Sequence, residues 1–256
     1  VTQLAKWSDA TSEEVNGYEM NIFVGDPKKT TDAIELLADA IPSYYAAPNR
    51  VADLLRKHGR EGVAKYLEEK LPTAKSIRSG DLGEILGVAY LHEHTPFIYS
   101  VKRLRWKDHR NMSMRGEDLL AFSIDKKTKK LLVVKGEVKS RATLSGAVVE
   151  AARKALSANH GMPSAHAMSF LADRFFEQGD KELADMLDNA QLKKRISKAQ
   201  LTHLMFTFSG NNPTNLLRRN LLKCGEGIHQ IYVGLQVAKH QEFIKSVFDT
   251  VDSNGL

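Results

Sequence analysis

The stretch Lys130-Leu-Leu-Val-Val-Lys-Gly-Glu-Val-Lys-Ser140 decides how this chain is read. Its first half is a branched, apolar run of the kind that forms a buried strand, and its second half sets Glu137 and Lys139 two residues apart. Strand side chains alternate between faces, so these two charges point the same way while Val138 packs against the other face. An acid and a base therefore stand together on an element rooted in core, where charged groups need a partner or a task.

Around this strand the pattern runs helix, three strands, helix. Asp81 to His94 reads as a helix with Leu82, Ile85, Leu86, Ala89 and Tyr90 on one face, and Gly83 and Gly87 would admit a close neighbour. After Pro96 a first strand is predicted to run to about Trp106, with Arg103, Arg105 and Lys107 sharing one face. The loop Asp108 to Gly116 leads to a second strand, Asp118 to Ile124, and the turn Asp125 to Lys129 returns into the third. Leu144 to Ser157 follows as an amphipathic helix. The segment from about 160 to 199 is a helical insertion broken at Gly179 and ending in a basic cluster of Lys193, Lys194, Arg195 and Lys198. Two more strands, Leu201 to Phe208 and Ile228 to Val237, and a last helix from His240 complete the pattern. Residues 1–76 read as a mostly helical lobe with one strand, Tyr18 to Val24, and residues 77–256 as the main α/β domain.

Composition sets the outer bounds. The chain has 256 residues, 42% of them hydrophobic, enough for a sizeable core. Its net charge of +6 has the sign that suits a polyanion, and also suits an ordinary basic surface. Cys224 is the single cysteine, so no disulfide or thiolate zinc site forms within one chain. With no secretory signal and no membrane-length apolar run, a cytosolic location is expected.

Phosphodiester hydrolysis needs an activated water and relief of charge at phosphorus, and a divalent metal serves both. Magnesium takes hard oxygen ligands in an octahedral shell. Asp118 and Glu137, with the carbonyl of Val138, meet that demand, and Lys139 is placed to orient or deprotonate the water. Glu-x-Lys alone is a weak signal: Glu68 to Lys70, within a helix, repeats it by chance.

The ordered set Gly83-Glu84, Asp118 and Glu137-Val138-Lys139 resembles the PD-(D/E)XK nuclease superfamily, whose core is restriction-endonuclease-like: a mixed sheet flanked by helices. More narrowly, the run from Gly80 to Glu84, through Arg115 to Phe122, to Lys139 resembles the HamA family, nuclease subunits of the Hachiman anti-phage defence system. The resemblance implies a magnesium-dependent DNase, manganese substituting, that acts with a HamB-like superfamily 2 helicase. It makes Asp118 and Glu137 metal ligands, Lys139 the catalytic lysine and Glu84 an accessory acid. Glu117 competes with Asp118 for the ligand role, and Asp118 is preferred because the strand begins with it. The Gln and Tyr helix motif of RecB-type relatives is missing after the third strand.

Each assignment has a plainer rival. Glu137 and Lys139 read also as a solvated pair on an edge strand, Asp118 as a strand-start residue, and Asp81-x-x-Glu84 as a capping box. His92-Glu93-His94 is no zinc site if helical, since residues two apart do not share a face. Arg103, Arg105, Lys107 and Arg115 form a candidate stripe for DNA backbone or an ordinary charged face. For the whole chain, the rival to an enzyme is a non-catalytic nuclease-fold subunit that binds DNA or docks onto a helicase.

Overall fold

The computed structural model describes residues 2–193, 195–225 and 227–253. Seven strands form one mixed sheet: β1 (Ser8–Val15), β2 (Tyr18–Gly25), β3 (Tyr99–Ser100), β4 (Leu119–Ile124), β5 (Leu131–Arg141), β6 (Leu201–Ser209) and β7 (His229–Gln236). Their spatial order is β1-β2-β7-β6-β5-β4-β3. The central four, β2, β7, β6 and β5, are parallel, and antiparallel partners flank them at both edges. Of these, β5, β6 and β7 are buried on both faces over most of their length, which is why they read as near-continuous apolar runs.

Among the described residues ten α-helices accompany the sheet: α1 (Leu4–Trp7), α2 (Thr30–Ala40), α3 (Pro42–Tyr45), α4 (Pro48–Lys70), α5 (Lys75–His94), α6 (Gly146–Ser157), α7 (Ala165–Glu177), α8 (Lys181–Asp188), α9 (Thr214–Leu221) and α10 (His240–Ser253). On one face α1, α2, α5 and α10 close the largest core over Leu119, Val134, Val138, Phe206 and Val233. On the other, α6 and α9 cover Met205 and Tyr232, while α7 and α8 cover Leu120, Phe122 and Val133. Even-numbered residues of β5 thus face α5 and odd-numbered ones the opposite layer, as strand alternation requires.

Most predicted elements are present within a few residues, and α4 is interrupted at Gly59, whose φ is 68°. The helical insertion is present as α7 and α8, and Gly179 between them has φ 87°. Three expectations are corrected. The strand predicted from Pro96 to Trp106 is only Tyr99–Ser100, and Arg103–Trp106 is a single 3-10 turn. Arg103, Arg105 and Lys107 therefore do not line one strand face. Residues 1–76 hold the expected strand as β2 and, in addition, β1, and this hairpin is built into the common sheet through β7 and is not a lobe apart from it. Finally, α5 starts at Lys75, so Asp81 lies inside the helix and caps nothing. Lys194 of the predicted basic cluster lies outside the described residues. Among the described residues, no helix is long and apolar enough to cross a membrane.

Candidate active site

Strand β4 pairs with β5 only as far back as Leu119 opposite Gly136. One residue earlier Asp118 lies beyond the ladder, and its Oδ2 accepts the N–H of Val138 at 2.9 Å. The carboxylate does there what the backbone of a longer β4 would have done. N–H and C=O of one strand residue point to the same neighbour, so the Val138 carbonyl faces this same gap. By parity Asp118 shares a face with Leu120 and Phe122, and Glu137 shares it with Val133. The two acids are thus cross-strand neighbours at the end of β4.

Glu137 is held by a short ion pair with the ammonium of Lys139, and both side chains are largely buried. Burial first, and the Asp118 charge second, push the Glu137 carboxyl above the ordinary carboxylate range against the pull of Lys139. Two residues back on the same face, the buried Lys135 donates to the carbonyls of Ala158 (3.0 Å) and Met162 (3.1 Å), tying the loop after α6 to β5. Burial lowers its pKa.

Glu84 approaches from the other layer. Gly83 and Gly87 let α5 settle on β5: a Cβ at Gly83 would meet Val138 Cγ1 at 3.0 Å, and one at Gly87 would meet Leu119 Cδ1 at 2.8 Å. Glu84 Oε2 accepts from Arg103 Nε at 3.0 Å. Burial pushes Glu84 up to about 7, opposed by Arg103 and reinforced by the Asp118 charge. Arg103 also donates to the carbonyls of Glu117 and Arg115. Its Nη2 is buried without a hydrogen-bond acceptor and lies 3.9 Å from Asp118 Oδ1. Arg103, proposed from sequence as a DNA contact, instead bridges two acids.

The neighbour of Asp118 is committed elsewhere. Glu117 accepts the N–H (2.6 Å) and the hydroxyl (2.8 Å) of Ser164, the residue that caps α7. Of the other basic candidates, Arg105 donates to the carbonyl of Ser43 at 2.8 Å. Lys107 is paired with Asp81 at 2.7 Å, both side chains 4% exposed, so its ammonium is closed to an outside phosphate here. Arg115 is exposed and stands on the rim of the hollow that holds Glu84, Arg103 and Asp118. The His-Glu-His run is structural: His92 bonds Ser100, Glu93 accepts from Thr2, Gln3 and Leu4, and His94 stacks on Tyr90.

Sequence reasoning passes over the support behind Lys139. Ser140 Oγ lies 2.8 Å from Ser79 Oγ and 3.0 Å from His240 Nε2, a buried chain joining β5, α5 and α10. A serine and a histidine one hundred residues apart carry no local signal.

Among the described residues no three acid, histidine or cysteine side chains form a ready-made metal cage. The donors that do converge are two carboxylates and a carbonyl, all hard oxygens. They fit a cation that keeps several of its own waters better than one caged wholly by protein.

The sequence profile of HamA matches residues 3–251, nearly the whole chain. The chain belongs to the HamA family. A HamA relative, the Hachiman protein HamA of Bacillus cereus, is 27% identical over 258 aligned residues, covering 98% of this chain and 91% of the relative.

Proposed function

We propose that this HamA chain is a magnesium-dependent deoxyribonuclease with a restriction-endonuclease-like PD-(D/E)XK core, acting in anti-phage defence under the control of a helicase partner. Family membership supports the defence role. The observation that carries the chemistry is the bond from Val138 N–H to Asp118 Oδ2, because it ties the acid before β4 to the Glu-Val-Lys end of β5. Asp118, Glu137 and the Val138 carbonyl would hold the cation, which when bound supplies an acidified water and neutralises phosphate charge.

The chain's own residues do the rest. Lys139, which pairs with Glu137 here, would donate from its ammonium to the attacking water and orient it, and as the neutral amine would take that water's proton. Arg115, exposed on the rim of that hollow, would meet phosphate oxygens as they enter, which its planar guanidinium fork suits, while Arg103 stays engaged with Glu84. Among the described residues no base-reading motif is recognised, which favours cleavage restrained by a partner over cleavage restrained by sequence.

A second reading draws on a specific feature. Each acid already has an internal partner: Glu84 has Arg103, Glu137 has Lys139, and Asp118 has a backbone amide. A non-catalytic subunit that docks onto a helicase would look like this, and so would a resting nuclease. Nicking of supercoiled plasmid by the chain with its helicase partner, ATP and magnesium separates them. The nuclease reading expects conversion by wild type, and at least a hundredfold loss in Glu137→Ala and Lys139→Ala. Equal survival of the plasmid with all three proteins supports the docking subunit.

A further inference from the structure

The positive charge of this chain is concentrated. Residues 125–130 hold four lysines and one aspartate, and residues 193–198 hold three lysines and one arginine, for a net +7. The whole chain is +6, so everything else sums to −1. Lys194 enters this count by formal charge alone.

The fold brings the two segments together. Residues 125–130 are the tip of the β4–β5 hairpin, and 193–198 lead into β6, which pairs in parallel with β5 from Val133 opposite Leu201. Gln200 Nε2 donates to the carbonyl of Leu131 at 2.8 Å, fixing the second segment beside the first. Ile196 is buried, which turns Arg195 and Lys198 outward. Lys126, Lys127, Lys129, Lys130, Lys193, Arg195 and Lys198 are all exposed, and among the described residues none of them forms an ion pair. Asp125, the one acid present, is spent on its own turn, accepting from Lys127 N, Thr128 N and Thr128 Oγ1. Lys198 also borders a hollow lined by Arg153, His160 and His203, where Arg153 is already paired with Glu150.

We infer that this surface is a second docking site for duplex DNA, gripping its phosphate backbone away from the candidate catalytic cluster. Lys130 and Glu137 are seven residues apart along β5, or about 23 Å. Flexible lysines without an aromatic or paired-arginine reader suit phosphates and carry no sequence preference. Seven like charges held together also repel one another, and a polyanion relieves that repulsion by displacing its own counterions. The inference takes from the proposed function only that the ligand is DNA.

The test is fluorescence anisotropy of a labelled mixed-sequence duplex in EDTA, across salt from about 50 to 200 mM. Replacing Lys126, Lys127, Lys130, Lys193, Arg195 and Lys198 by Gln should weaken binding at least tenfold at the low end. It should also flatten the salt dependence by about 0.9 for each phosphate that the variant no longer neutralises. Changing the lysines to Arg should preserve binding. A three-lysine variant of the hairpin tip alone, with its thermal unfolding checked, decides the matter should the six-fold variant fold poorly. Affinity and salt slope within twofold of wild type would overturn the inference. So would intact DNA binding with loss of the helicase complex, which would assign the surface to an acidic protein face. EDTA keeps cleavage out of the readout, so a chain that binds DNA here and never nicks plasmid sinks the proposed hydrolysis and leaves this surface standing.

Discussion

Glu117 and Asp118 carry the same charge on adjacent residues and do different work. Strand alternation says that only one of them can join Glu137; which one is decided by Ser164, nearly fifty residues downstream, whose N–H and hydroxyl engage Glu117. Removing those bonds in Glu117→Ala should cost about 1.5–3 kcal/mol in urea unfolding, the range for hydrogen bonds to a charged group, while nicking persists. Glu84 has a pH signature. Its folded pKa of about 7 lies above the ordinary 4.5, so between these values the folded chain holds a proton that the unfolded chain has released. Its contribution to stability is therefore present below pH 4.5 and falls as pH rises toward 7. Unfolding free energies of wild type minus Glu84→Gln should decline across that window, by up to about 3 kcal/mol. A flat difference would contradict the burial of this acid.

At the scale of elements, what the sequence makes legible are the apolar strands and amphipathic helices, whose patterns record which face is buried. β1 is not legible: only Ser8 and Val15, its end residues, are buried, so no alternation survives in its polar sequence. The stretch from Arg103 to Lys107 fails in the opposite way, since its alternating charges imitate a strand although the backbone makes a 3-10 turn. The start of α5 is hidden because its cap is tertiary. Asn111 Oδ1 accepts from Thr73 N (2.8 Å) and Ala74 N (3.0 Å), satisfying amides just before the helix from far along the chain. The paired glycines of α5, by contrast, do signal a close approach. Leu119 is seated between Gly87 and Gly136, each of which would push a Cβ into it at 2.8 or 2.7 Å. Pinned from both sides, it cannot yield. Gly87→Ala should therefore lose about 1–2 kcal/mol by overpacking, despite the better helix propensity of alanine, measured as a lowered unfolding midpoint.

Across the whole molecule, the sheet separates two charged regions along a single strand. The β4 end of β5 gathers Asp118, Glu137 and, from the opposite layer, Glu84; the hairpin end gathers the lysines. The glutamate and lysine are visible in sequence because charge in an apolar strand is conspicuous. The bridging role of Arg103 and the Ser79–Ser140–His240 chain are not, because they exist only once α5, β5 and α10 are packed. The central claim is that acids distant in sequence share one hard cation. The most direct measurement is anomalous diffraction from a crystal of the chain soaked in manganese. The account predicts a peak between the carboxylates of Asp118 and Glu137 and the carbonyl of Val138, with Lys139 moved off Glu137. No peak at that place, with Glu137 still paired to Lys139 at saturating manganese, would contradict it.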